Sequence, residues 1–90
     1  MHGFSESKPK KLMRINLEYN KTIEKIDISG DFYVHPEESL KLIEKKLTGI
    51  EISKLNTIAS TLNNFLKENN IQILGISTDD IQKGIIEATR

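Results

Sequence analysis

Cysteine is absent from the 90 residues, which removes disulfides, thiolate catalysis and cysteine-ligated metal or iron–sulfur centres together. Net charge is absent too, with 13 basic and 13 acidic residues. Residues 1–50 carry 9 basic and 8 acidic side chains and residues 51–90 carry 4 and 5. Neither half presents a strong field, which argues against nucleic acid or an anionic membrane as the main partner. No apolar run approaches the ~20 residues of a membrane span. The polar opening MHGFSESKPKK does not read as a secretory signal, so the expectation is a soluble cytoplasmic protein. Three chemical signatures are also missing. There is no GxxxxGKS/T and no GxGxxG to cradle phosphates, and no GxSxG nucleophile elbow.

What is present fits one small domain. A chain of this size buries roughly 60% of its unfolded surface. It has room for one core, and not for a deep two-substrate cleft as well. Residues 1–10, with glycine, serines, a proline and scattered charge, read as a flexible lead-in, which leaves 11–90 as the folded domain. In LMRINLEY, residues 12–19, Met13, Ile15, Leu17 and Tyr19 fall on one side and Arg14, Asn16 and Glu18 on the other, the period of a half-buried strand. Residues 23–34 alternate likewise: Ile26, Ile28, Gly30, Phe32 and Val34 oppose Lys25, Asp27, Ser29 and Asp31. Asn20 and Lys21 lie between, and asparagine tolerates the left-handed conformation of a tight turn. The spacing predicts an antiparallel hairpin.

Three helical patterns follow. Pro36 suits a first helical position, Glu37 and Glu38 suit the positive end of the helix dipole, and Gly49 is a stop signal, which predicts a helix over 36–48 lined by Leu40, Ile43 and Leu47. Ser53 is a candidate cap for a second helix carrying Leu55, Ile58, Ala59, Leu62, Phe65 and Leu66, the strongest amphipathic stripe of the chain. IQILGI, residues 71–76, reads as a third strand or as an extended connector. Ser77 and Asp80 have capping-box spacing ahead of a helix lined by Ile81, Ile85 and Ala88. Gly84 in its middle costs about 1 kcal/mol against alanine and marks close packing. The order implies an α+β fold, a small antiparallel sheet with three helices on one face.

Candidate chemistry is sparse. Asp31, His35, Glu37 and Glu38 are the densest group of ligand-capable side chains, but no two have HxxxH or HExxH spacing, and the position at a helix start accounts for both glutamates. The reading is a turn, with no metal site and no catalytic residue. Lys8, Lys10, Lys11 and Arg14 are either an anion site or a solvated basic lead-in, and composition favours the latter. Lys11 is the most interesting of them, because it lies directly before the strand, where it can be held in place. Phe32 is in phase with the apolar side, whereas Tyr33 points away and is the better candidate for a partner contact.

Lys11-Leu12 before an alternating strand, the Ile-rich strand at 23–28, Gly30-Asp31-Phe32-Tyr33, Pro36, and a helix ending Leu47-Thr48-Gly49 together resemble the C-terminal accessory domain of lipoate–protein ligases. The likeness is strongest to the stand-alone small subunit of the bipartite archaeal type. It covers about residues 8–90, most strongly 10–50, with a weaker echo in Ile73-Leu74-Gly75-Ile76-Ser77. The family often enters its first strand through Pro-Gly-Gly-Lys-Leu, whereas this chain has the shorter Lys8-Pro9-Lys10-Lys11-Leu12. The family layout is similar to that of iron–sulfur scaffold proteins, but those carry cysteines, so cluster chemistry is not inherited.

The resemblance implies a non-catalytic subunit of a cytoplasmic heterodimer. It would be required when the large subunit activates lipoate with ATP to lipoyl-AMP, before transfer to a lysine of a lipoyl carrier domain. Lipoate, ATP and magnesium would belong to the complex, with no cofactor bound by this chain alone. In the family the accessory domain is displaced as activation gives way to transfer. Gly30 to Pro36 would be scaffold, with Tyr33 and Lys11 presented to the partner. No nucleic-acid or membrane partner is implied. The alternative reading is an adaptor of the sulfur-assembly type without its own cluster.

Overall fold

The expected hairpin is the centre of the molecule. In the computed structural model, which describes residues 1–90, strands β2 (Met13–Tyr19) and β3 (Ile23–Gly30) pair antiparallel, Ile15 opposite Ile28 and Leu17 opposite Ile26. Met13, Ile15, Leu17, Tyr19, Ile26 and Ile28 are all buried. The turn differs from the expected one. Asn20 is not left-handed; its N–H donates to the Thr22 carbonyl at 3.1 Å, and a register shift after Glu18 absorbs the extra length. The non-glycine residue with positive φ is Asn70, at 54°, just after the second helix.

Residues 1–10 are not a lead-in. His2–Ser7 form strand β1, which pairs antiparallel with β2, so the sheet has the order β1-β2-β3. The inward positions of β1 are Gly3 and Ser5, both buried. They lie beneath helix α3 (Thr78–Ala88). A side chain on Gly3 would collide with the Ala88 carbonyl oxygen, and Ser5 Oγ donates to the Gly84 carbonyl at 2.7 Å. The close approach of strand and helix therefore requires small residues, which carry no hydrophobic period. Gly84 has the packing role its position suggested. A methyl group there would lie 2.6 Å from Ile15 Cδ1 and 2.8 Å from Met13 Cε.

Helices cover one face of this sheet. Helix α1 (Ser39–Leu47) lies against β3, and α3 lies against β1 and β2. Helix α2 (Ile58–Glu68) packs on α3. Ile43, Leu47, Leu55, Ile58, Leu62, Ile81 and Ile85 join the strand residues in a single core. Ser77 caps α3 reciprocally with Asp80: Asp80 N–H donates to Ser77 Oγ at 3.1 Å, and Ser77 N–H to the Asp80 carboxylate at 2.8 Å. Ser53 caps nothing, because residues 52–57 form a 3₁₀ turn ahead of α2. The open edge of β3 is covered near both of its ends. Glu44 of α1 accepts from Ile28 N–H at 2.8 Å, and Ile23 exchanges backbone bonds with Gly49 and Ile50. This is a common way to keep a sheet edge from pairing elsewhere.

The alternation through residue 34 is broken at Gly30. Strand β3 ends there, and Tyr33–His35 form a separate strand, β4, paired antiparallel with β5 (Gln72–Leu74). The third strand exists, but in a second sheet of two strands. Because β4 runs through His35, the chain turns at Pro36, behind a cis His35–Pro36 bond, and α1 begins at Ser39 rather than at 36. No helix is long and apolar enough to cross a membrane.

Candidate functional site: the hinge and the two-stranded ribbon

Gly30 has φ 147°, a value glycine alone adopts without strain. A side chain on it would collide with the Leu12 carbonyl oxygen. That same oxygen accepts from Asp31 N–H at 2.9 Å. The segment entering β2 and the segment leaving β3 are thereby locked together. A third segment joins them at Gly75, φ 103°, where a methyl group would sit 3.0 Å from Lys11 Cγ and 3.4 Å from Phe32 Cα. The bare glycine allows the Lys11 stem and Phe32 to close over the end of β5.

An open groove of about 600 Å³ results, lined by Lys8, Lys10, Lys11, Leu12 and Gly30 through Tyr33. The structure thus unites Lys11, Gly30, Asp31, Phe32 and Tyr33, as the motif suggested. Pro36 does not join them; it lies beyond the far end of β4, because three strand residues intervene. Phe32 is half-buried against the core and Tyr33 is 74% exposed, matching their phase in the sequence. Arg14 leaves the basic cluster. It stands opposite Glu6 in the β1–β2 ladder and donates to it at 2.7 Å. Lys8, Lys10 and Lys11 have no carboxylate within 4.0 Å.

Leu74 is a member the sequence did not mark. It pairs directly with Tyr33 across the ribbon and is 55% exposed, while Val34 and Ile73, the next pair, turn toward the core. The alternation of IQIL was the available signal, but its phase has meaning only once β4 is known as its neighbour. No three His, Asp or Glu side chains of the molecule converge on one point. Burial pushes the proton affinity of the Glu44 carboxyl above its ordinary value; the Ile28 N–H opposes this, Asp27 adds to it, and Lys41 opposes it.

No family model matches the chain. Lipoate-protein ligase A subunit 2 of Thermoplasma acidophilum is 42% identical over 50 residues, 54% of this chain and 53% of that protein. The match thus spans about half the length of that curated relative. A structure of an archaeal lipoylation system, a bi-partite lipoate protein ligase and its E2 lipoyl domain from Thermoplasma acidophilum, contains a chain with the same fold. The TM-score is 0.66 at 26% identity, over 100% of this chain and 98% of that one. Sequence over half the chain and fold over all of it support the family that the motifs resemble, the accessory subunits of bipartite lipoate–protein ligases.

Proposed function

We propose that this protein is the accessory subunit of a bipartite lipoate–protein ligase, needed for the activation step and contributing no reactive group of its own. The observation that carries this reading is the end-to-end fold match to a chain of an archaeal lipoylation system. In activation, a lipoate carboxylate oxygen attacks the α-phosphorus of ATP. The bond to the bridging oxygen breaks, and lipoyl-AMP and pyrophosphate form. A carrier lysine then attacks the acyl carbon and expels AMP. The first step needs donors fixed around the phosphates and a site closed to water, since an acyl adenylate hydrolyses. The large subunit holds ATP, lipoate and magnesium. This chain docks beside them and orders the loops that close the site. Its shallow grooves and rigid hinge suit such a role.

The test is lipoate-dependent exchange of labelled pyrophosphate into ATP by the large subunit. Exchange should rise strongly when this chain is added. Equal exchange with and without it would overturn the proposal.

A further inference from the structure

Five large apolar side chains are exposed: Met1, Phe4, Tyr33, Leu42 and Leu74. Phe4 and Leu42 stand singly on β1 and α1, and isolated surface apolar residues are ordinary. Tyr33 and Leu74 are different, because they are direct cross-strand partners. Side chains so paired stand roughly 5 Å apart at Cβ on one face, so they form one ridge. Lysines flank the ridge on two sides. Lys8, Lys10 and Lys11 line the groove on the Tyr33 side, and Lys10 also lines the neighbouring groove with Ile73, Leu74 and Gly75. The one acidic residue lining the first groove is Asp31. On the three-stranded sheet two cross-strand ion pairs form, His2 with Glu18 and Arg14 with Glu6.

An aromatic–aliphatic ridge rimmed by unpaired cations has the make-up of a protein-docking surface. A tyrosine is a frequent anchor of binding energy, and rim charges steer encounter and choose the partner's sign. Resting on the subunit reading above, we infer that the Tyr33–Leu74 ridge, with Lys8, Lys10 and Lys11, seats on an acidic-rimmed apolar patch of the large subunit. The hinge is stiff where it must be. The Gly30–Leu12 contact and the Lys11 stem over Gly75 bring the ridge and Lys11 together.

The test measures dissociation constants for the large subunit by calorimetry at low and at moderate salt. The variants are Tyr33→Ser with Leu74→Ser, Lys8→Glu with Lys10→Glu, and the controls Phe4→Ser and Leu42→Ser. All positions are exposed, and thermal unfolding checks that each variant folds. The ridge variant should bind about tenfold more weakly or worse, the scale of a lost anchor. The charge variant should lose affinity mainly at low salt, and both controls should stay within about twofold, a surface-neutral change. The wild type binding the large subunit while ridge and charge variants bind equally well would overturn this face and leave the subunit reading standing. A control weakening as much as the ridge variant would do the same. No binding by the wild type would overturn both. If charge reversal abolished retention of duplex DNA and left the large subunit's affinity unchanged, the lysines would belong to a nucleic-acid face and the inference would fail.

Discussion

The two sheets of this protein differ in how completely they are closed. The three-stranded sheet is sealed on its inner face by α3, which Gly3 and Gly84 admit to close range. It is covered near both ends of β3 by Glu44 and the 49–50 backbone, and two ion pairs, His2–Glu18 and Arg14–Glu6, bridge β1 and β2. The two-stranded ribbon has three residue pairs, an exposed Tyr33–Leu74 ridge and a rim of unpaired lysines. A two-stranded ribbon is marginal by itself, so it depends on the sealed part for its place. The contrast separates two tasks. One half supplies stability, and the other carries the contact face proposed above.

Substitutions in the sealed half should have the largest effects. Leu62, fully buried in α2, becomes a cavity in Leu62→Ala, and the loss expected is about 3 kcal/mol, read as a lower urea midpoint. At the junction of the halves, Gly30→Ala must adopt an unsuitable φ and push on the Leu12 carbonyl. We expect a loss of about 2 kcal/mol. Weakened affinity for the large subunit should accompany it, because the same contact positions the groove. Unchanged affinity in a destabilised Gly30→Ala would separate the hinge from docking.

Smaller effects sharpen the comparison. Burial raises the proton affinity of Glu44 in the folded state. The native state then binds more protons than the unfolded chain just above the ordinary glutamate range. Stability from this group is greatest at acidic pH and falls as pH rises through the raised value. Glu44→Gln keeps an acceptor for Ile28 N–H and cannot ionise. Its stability relative to the wild type should therefore grow between about pH 4 and pH 7; a difference independent of pH would contradict the assignment. Smallest of all is the cost of Tyr33→Ser with Leu74→Ser to folding, expected within about 0.5 kcal/mol per residue. A large loss would mean that the ridge is structural and not a free surface.

Legibility in the sequence followed the same division. Strands β2 and β3 were readable because their inward positions are aliphatic in strict alternation, and α3 because Ser77 and Asp80 announce it. Strand β1 was not, since Gly3 and Ser5 are inward only by virtue of helix contacts 79 or more residues away in sequence. The break at Gly30 was visible as a glycine within a strand pattern, but its meaning depends on Leu12. Within the candidate site, Lys11 and the Gly30–Tyr33 run were legible as a motif. Leu74 and the withdrawal of Arg14 were not, because each is fixed by a partner strand that local pattern does not name.

The central claim is that this chain shapes a neighbour's active site. It is tested most directly by titrating the chain into a fixed amount of large subunit with lipoate, ATP and magnesium and following pyrophosphate exchange. The account predicts no exchange from this chain alone and a rise that saturates at one accessory chain per large subunit. Lipoate-dependent exchange by the isolated chain, or a large subunit already at full rate without it, would contradict the account.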